Sequence, residues 1–409
     1  MALPSPAPCR PASPSSMSRM SNGDVPPHRL HSLDGVRAVA AALVVCHHSL
    51  TDGIRRTLEG HGFPRAGHLL AAFTGSGVEL FFVLSGVVLL RPYLRGHRAF
   101  EAGKYFTRRV ERLWPPYLTA WVFAGLTVVY LNHFPTGFSA ALPLFAWRDF
   151  LPQAAILRFT DPLYNDAWWS LAVEVLFYVV VPAVIFLGTS RRFTQRTALL
   201  LLPGVACGSA ALIAFVSAKH APWTMFYSLG TYFVCFYGGI VIAKFDLSRR
   251  TSGVLLGAGA TLIAAATLLN SAVLHAGFGL LYAGLVARLI SAPKAHVALA
   301  HPSMLWLGER SYSLFLLHVS VFEIANNLAS ELFALKSRAY FLFSRALGIP
   351  GALFAAMLLF WFVERRYARG LVTAKQFWPP LFRPVRRAPA AGSSPPSGSS
   401  PSPASPRAA

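Results

Sequence analysis

The sequence predicts an all-α protein that crosses a membrane about ten times. Of its 409 residues, 54% are hydrophobic and only 13% are charged, whereas soluble domains carry about a quarter charged residues. The apolar residues also fall in runs close to the length of about 20 residues that a membrane-spanning helix needs. Composition and run length together favour a polytopic integral membrane protein over a soluble fold.

Ten apolar segments are predicted as membrane spans, although the seventh and eighth are short for a bilayer. The segments cover residues 33–51, 69–90, 113–131, 168–188, 198–217, 223–243, 253–269, 277–291, 303–328 and 346–363. Most tryptophans, Trp168 among them, lie near the proposed ends. Amphipathic rings favour the headgroup layer, so we interpret these tryptophans as interfacial anchors.

The two ends of the chain differ in composition from its middle. Residues 1–29 are rich in Pro and Ser, and residues 371–409 are first basic and then rich in Ser and Pro. Such segments bury too little apolar surface to fold, so both are predicted to be disordered cytoplasmic tails. Residues 30–370 are predicted to form the transmembrane domain.

The chain carries a formal net charge of +21, a value that nucleic-acid-binding proteins also reach. A nucleic-acid binder concentrates its basic residues on a water-exposed face, whereas here they fall mostly between apolar segments. Lys and Arg accumulate in cytoplasmic loops, and ten spans place most of them on one side. We therefore expect a lipid bilayer as the surroundings, no nucleic-acid partner and both termini in the cytoplasm.

The first apolar segment contains two ionisable side chains, Arg37 and His48, which are costly to bury and so mark a candidate site. A rotation of about 100° per residue brings them within about 20° of one helix face, about 16 Å apart along the axis. The small residues Ala41 and Val44 lie between them. We interpret this stripe as an open groove for a long ligand with an anionic head and a reactive end, such as an acyl-CoA. The alternative is that Arg37 only extends to the interface and His48 only bonds another helix.

Arg109 and Arg112 are three residues apart, adjacent on one helix face, just before an apolar segment. Their guanidinium groups offer bidentate contacts to phosphate at the cytoplasmic boundary. Basic clusters in this position also orient helices without binding anything. The pair alone leaves both interpretations open.

Glu174 stands in the apolar segment WWSLAVEVLFYVVVP, four residues after Ser170 and four before Tyr178. A lone carboxylate there must pair or take up a proton, so we expect it to face the protein interior. Ser170 and Tyr178 lie on the same face and are candidate substrate-binding residues. His318 is a further intramembrane imidazole, interpreted either as part of the substrate site or as a structural polar contact.

Glu79 lies in the segment GSGVELFFVLSG, among several glycines. Glycines such as Gly75, Gly77 and Gly86 allow helices to approach closely within a membrane. We therefore predict that Glu79 makes a structural hydrogen bond between helices.

Five segments, taken in order, resemble the family-3 membrane acyltransferases, which acylate sugars and other hydroxylated molecules at bacterial surfaces. The segments are LDGVRAVAAALVVCHH, GVELFFVLSGVVLLRPYL, RRVERLWPPYL, WSLAVEVLFYVVVP and SYSLFLLHVSV. The resemblance implies a multi-pass O-acyltransferase of the bacterial inner membrane. Its substrates would be acyl-CoA, with acetyl-CoA expected, and a hydroxyl of a carbohydrate or another surface or secondary metabolite.

The family's motif residues fall, in order, on Arg37, His48, Arg109, Arg112 and Glu174. The resemblance implies that His48 and Glu174 are catalytic and that the three arginines bind the acyl-CoA. The family often has two acidic residues after Trp-Ser-Leu, whereas here Val175 follows Glu174. The partner of Glu174 is therefore left open.

His48 is predicted to act as a general base on the acceptor hydroxyl or to form an acyl-imidazole by attacking the thioester. The sequence leaves both routes open, and we expect no metal and no permanently bound cofactor. A transporter or exporter of a lipid or sugar would also carry buried charges, but it predicts internal repeats that the two halves do not show. A membrane sensor or scaffold would keep its function after His48→Ala, whereas an enzyme would lose turnover.

Overall fold

The computed structural model describes residues 31–142, 144–156, 164–219, 224–268, 273–291 and 297–368. These residues form helices and connecting turns without a β-strand, so the predicted all-α fold is confirmed. The predicted tails at residues 1–29 and 371–409 lie outside the described residues. The α-helices are α1 His31–Cys46, α2 Asp52–Gly60, α3 Pro64–Gly75, α4 Gly77–Leu94, α5 Ala102–His133, α6 Trp147–Gln153, α7 Trp169–Thr189, α8 Gln195–Lys219, α9 Thr224–Lys244, α10 Arg249–Leu268, α11 Leu274–Ser291, α12 Pro302–Glu309, α13 Ser311–Leu332, α14 Arg338–Leu359 and α15 Arg365–Ala368.

Several helical segments are both long and apolar enough to cross a bilayer, which supports a multi-pass membrane protein. Within the described residues these are Leu33–Gly60, Pro64–Leu94, Asp166–Thr189, Leu274–Ser291 and Arg338–Tyr367. The total of ten spans stays a prediction. Two predicted spans are each interrupted in the structure, because α3 gives way to α4 at Ser76 and α12 to α13 at Arg310.

Helices α4 and α9 touch backbone to backbone at a pair of glycines. A Cβ atom placed on Gly86 would lie 2.6 Å from the carbonyl oxygen of Phe236 and 3.0 Å from the Cα of Gly239. A larger side chain at Gly86 would therefore force the helices apart. The prediction that Gly86 permits close approach is confirmed, and small residues of this kind are typical of membrane helix contacts.

Glu79 ties α4 to α11. Its Oε1 accepts a hydrogen bond from Nδ1 of His275 at 2.6 Å, since an ionised carboxylate has only acceptor atoms. The predicted hydrogen bond between helices is confirmed. Together with the glycine contact, it holds α4 firmly against the α9–α11 side of the protein.

Two π-helical turns interrupt the regular helices. One, His47–Thr51, joins α1 to α2, and the other, Phe360–Glu364, follows α14. In the first turn Ser49 Oγ donates to the carbonyl oxygen of Val45 at 2.6 Å. Single π-turns within helices are rare and occur frequently at functional sites, and each of these two carries an ionisable side chain inward.

Candidate active site

Helices α1, α4, α5, α7 and α13 enclose a cavity of ≈150 Å³. The polar part of its wall is formed by Asp34, Arg37, Ser85, Arg109, Arg112, Ser170, Glu174, Tyr178, Ser311 and Tyr312. The cavity thus brings together most of the site residues predicted from the sequence, although these come from three separate segments of the chain. The predicted histidines His48 and His318 lie beyond it.

Three arginines make one wall of the cavity positive. Nη1 of Arg37 lies 4.0 Å from Oδ1 of Asp34, one turn earlier on α1. The guanidinium of Arg109 lies over the rings of Tyr105 and Tyr178, 5.7 and 5.8 Å from their centroids. Its Nε is buried and has no hydrogen-bond partner within the residues that the structure describes. An unsatisfied buried donor is costly, so a ligand that offers an anionic oxygen here would stabilise the site.

Glu174 accepts two hydrogen bonds on the same oxygen. Tyr178 Oη donates to Oε1 at 2.6 Å, from one turn along α7. Ser85 Oγ, from α4, donates to Oε1 at 3.0 Å. Sequence reasoning missed Ser85, although a polar residue late in the apolar run GVELFFVLSG was the available signal. Ser170 also lies on the cavity wall, with its Oγ donating to the carbonyl oxygen of Ala167 at 3.3 Å.

Glu364 is a second buried carboxylate that sequence reasoning missed. It is 5% exposed, and it accepts a hydrogen bond from Ser313 Oγ at 2.6 Å. Its charge interacts with those of Arg37 and Arg112. The available signal was a lone acid at the end of the apolar run LLFWFVERR, where two arginines follow it. Glu364 partly balances the arginine wall from the second π-turn.

The stripe between Arg37 and His48 is closed. Ala41 and Val44 are only 2% and 3% exposed. Ala41 packs with residues of α13 and α14, and Val44 lies against Gly77 of α4. The predicted open groove along this stripe is therefore wrong, because the small side chains let neighbouring helices approach instead of leaving a gap.

His48 and His318 form a pair at the far end of α1. Their ring centroids are 5.1 Å apart, with His48 in the first π-turn and His318 in the middle of α13. His318 is 0% exposed. Its Nδ1 lies 3.1 and 2.9 Å from the carbonyl oxygens of Leu314 and Phe315. Two imidazoles that were separate candidates in the sequence are thus neighbours in the structure.

The ring of Phe315 borders both the cavity and this histidine pair. Phe81 of α4 and Phe315 of α13 both line the cavity, with centroids 6.3 Å apart and planes at 76°. The ring of Phe315 lies 6.0 Å from that of His318. The charged or titratable groups that interact with His48 are His47, Asp166 and Asp52. Glu174 lines the cavity and His48 does not, so the two predicted catalytic residues lie apart in the structure.

The turn that precedes α7 fastens α13 in place. Asn165 Nδ2 and Trp168 Nε1 both donate to the carbonyl oxygen of Leu316, at 3.1 and 3.2 Å. Trp168 is 3% exposed, so its predicted role as an interfacial anchor is wrong. Its indole finds a partner inside the protein, and that bond helps to hold Phe315 and His318 where they are.

Comparison with known proteins adds the family. The family described as "Acyltransferase domain", acyltransferase family 3, matches residues 30–365. The chain is 24% identical over 327 residues to "Peptidoglycan O-acetyltransferase OatA" of Listeria monocytogenes, covering 71% of this chain and 49% of that protein. It is 24% identical over 331 residues to "Putative peptidoglycan O-acetyltransferase YrhL" of Bacillus subtilis, covering 72% and 49%. It is 28% identical over 203 residues to "Putative membrane-bound transacylase BcsY" of Komagataeibacter xylinus, covering 48% and 46%.

The chain spans about half the length of these curated relatives. No solved structure matches it significantly. The family match nevertheless covers most of the chain and contains every motif residue that lines the cavity, together with His48. The chain therefore belongs to acyltransferase family 3.

Proposed function

We propose that the chain is a membrane O-acyltransferase that passes an acyl group, with acetyl expected, from acyl-CoA to a hydroxyl of a carbohydrate. The observation that carries this proposal is the cavity that gathers Arg37, Arg109 and Arg112. Family membership supports acyl transfer. Two relatives are named as peptidoglycan O-acetyltransferases, one of them putatively, and these names support a carbohydrate acceptor.

The arginine wall suits an anionic donor. Guanidinium groups contact phosphate oxygens through paired, charge-assisted hydrogen bonds, and acyl-CoA carries several phosphates. The unpartnered Nε of Arg109 offers one donor directly. Glu174 is engaged by Tyr178 and Ser85, so in this proposal it positions Tyr178 and balances the arginines.

The size of the cavity limits which part of the donor enters. Pockets that enclose a drug-sized ligand measure about 300–1,000 Å³, whereas this cavity measures ≈150 Å³. A slender pantetheine arm matches the smaller volume, and the nucleotide would stay outside with its phosphates at the arginines. The thioester then points toward Phe81 and Phe315.

The reactive end reaches His48 when the Phe81–Phe315 pair turns aside. There the imidazole acts on the acceptor hydroxyl as a general base or attacks the thioester itself. Both termini would lie in the cytoplasm of a bacterium, with the chain in its inner membrane, because the basic residues follow the positive-inside pattern. A transporter, the main alternative from composition, is not favoured by the family match.

The proposal is tested with purified protein in lipid vesicles, radiolabelled acetyl-CoA and a soluble N-acetylglucosamine oligosaccharide as acceptor. We expect His48→Ala to lower transfer by about 100-fold or more, the lower limit for loss of a general base. His47→Ala is the matched control, because the neighbouring His47 hydrogen-bonds Thr74 at 3.2 Å. Equal activity in all three proteins would remove His48 from the mechanism. Failure of the wild type to use acetyl-CoA would refute acetyl-CoA as the donor.

A further inference from the structure

The hydrogen bonds of His318 determine which of its ring nitrogens carries a proton. Nδ1 lies within hydrogen-bond distance of two backbone carbonyl oxygens, those of Leu314 and Phe315. Carbonyl oxygens only accept, so Nδ1 must be the donor. In a neutral imidazole the other nitrogen then carries a lone pair. His318 therefore presents Nε2 as a hydrogen-bond acceptor.

This acceptor receives no hydrogen bond from the residues that the structure describes. Nε2 of His318 is buried and has no hydrogen-bond partner among the described residues, and the side chain is 0% exposed. A buried polar atom left unsatisfied costs about 1–3 kcal/mol. A ligand hydroxyl that donates to Nε2 would remove that cost. The ring of His48 is the neighbouring imidazole, 5.1 Å away between centroids.

Two further side chains of α13, beyond His318 along the helix, carry buried polar atoms. Oε2 of Glu323 and Oδ1 of Asn326 are buried without partners within the described part of the chain. The charge of Asp166 interacts with both Glu323 and His48. A ligand with several hydroxyl groups, as a sugar has, can hydrogen-bond to these atoms, because a hydroxyl both donates and accepts. The arginine cavity differs, because within the described residues Nε of Arg109 is there an unpartnered donor that suits an anion, beside the unpartnered Oγ of Ser311.

We propose that the acceptor hydroxyl binds at the His48–His318 pair, where Nε2 of His318 takes up its proton while His48 carries the acyl group. This inference rests on the proposed function and deepens it. The sequence left two roles open for His48, general base and acyl carrier. Here His318 is the base and His48 carries the acyl group. The bound Nδ1–H of His318 keeps its ring oriented for the transfer.

The reaction then has two balanced steps. In the first, a nitrogen of His48 attacks the thioester carbon, a C–N bond forms, the C–S bond breaks, and the CoA thiolate takes the proton that His48 loses. In the second, Nε2 of His318 takes the proton of the acceptor hydroxyl while its oxygen bonds the acyl carbon. The C–N bond breaks, and the proton passes from His318 to His48, which leaves both imidazoles neutral and forms the ester.

The deciding variant is His318→Asn. The amide nitrogen of Asn lies near the former position of Nδ1 and still donates to the carbonyl oxygens of Leu314 and Phe315, but the Nε2 acceptor is gone. Three reactions are measured in lipid vesicles with acetyl-CoA. They are exchange of labelled CoA into acetyl-CoA, transfer to the N-acetylglucosamine oligosaccharide, and transfer to hydroxylamine, which attacks without a base.

We expect His318→Asn to keep exchange and transfer to hydroxylamine near wild-type rates. Transfer to the oligosaccharide should fall by about 100-fold or more, as for loss of a general base. His48→Ala should lose all three reactions, and His47→Asn should keep all three. The proposal is overturned if His318→Asn loses the three reactions alike, if it still acylates the oligosaccharide, or if the wild type transfers without exchange.

A second measurement does not depend on the donor. Solid-state nitrogen NMR of protein in lipid with labelled histidine distinguishes the two neutral tautomers, and His318→Asn assigns the signal. A proton on Nδ1 supports the proposal, whereas a proton on Nε2 overturns it. If the wild type is inactive with acetyl-CoA, the proposed donor is wrong. The NMR measurement then still tests whether Nε2 of His318 is free to accept a proton.

Discussion

The contact between α4 and α9 and the arginine cavity use neighbouring parts of the same helix in contrasting ways. On one face, Gly86 brings two backbones together and leaves no space for a Cβ atom. On the other face, Ser85 and Phe81 border a cavity in which charged groups keep unsatisfied atoms. The contrast teaches that different residues of α4 serve helix packing and the candidate site. Substitutions on the first face should remove folded protein, and substitutions on the second should remove activity from protein that still folds.

The largest effect is expected from Gly86→Leu. Overpacking of a close contact typically costs about 1–3 kcal/mol and occasionally more, and here a backbone carbonyl blocks the new atoms. We expect a large loss of monodisperse protein in detergent and a lower thermal midpoint. Gly204→Leu is the control, because a Cβ atom at Gly204 meets nothing within 4 Å. If Gly86→Leu were as stable as the control, the α4–α9 contact would not be a source of stability.

A smaller effect, confined to the cavity face, is expected from Arg109→Lys. Lys keeps the charge but lacks Nε and the planar fork that binds phosphate through two bonds. A hydrogen bond to a charged group contributes about 1.5–3 kcal/mol, so KM for acetyl-CoA should rise by about 10- to 100-fold with the thermal midpoint unchanged. The control is Arg108→Lys, since Arg108 is exposed. A shift in thermal midpoint without a change in KM would show that Arg109 stabilises the fold and does not bind the donor.

The smallest effect is expected outside both regions, at Asp246 in the turn after α9. Nη1 and Nη2 of Arg95 donate to its two carboxylate oxygens at 2.9 and 2.7 Å, and these bonds lower the pKa of Asp246. Because the pKa is lowered in the folded protein, the stabilisation is present at neutral pH and lost as the pH falls through that lowered pKa. Asp246→Asn should therefore cost less than about 1 kcal/mol at neutral pH and nothing in strong acid.

Thermal unfolding of Asp246→Asn, Arg95→Gln and the double variant measures this pair as a cycle. The two single losses should not add at neutral pH, since each removes the same contact. Additive losses, or a difference that persists in strong acid, would show that the Asp246 carboxylate does not stabilise the protein through Arg95.

Much of the site could be predicted because charged residues are rare in apolar runs. Arg37, Glu174 and His48 stood out for that reason, and the rotation of a regular helix related their faces. The closed stripe at Ala41 could not be predicted, because a helical period gives the face of a residue but not what packs on it. The pairing of His318 with His48 depends on how α13 lies against α1, which no local pattern specifies.

The Phe81–Phe315 pair also bears on how well the membrane stays sealed. A line of polar side chains from Arg37 to His48, joined by water, would conduct protons across much of the bilayer. Hydrophobic constrictions stop such conduction by excluding water, and Phe315, paired with Phe81, borders both the cavity and His318. Closed rings of this kind keep water, and with it protons, from passing between the cavity and His48 until they turn aside.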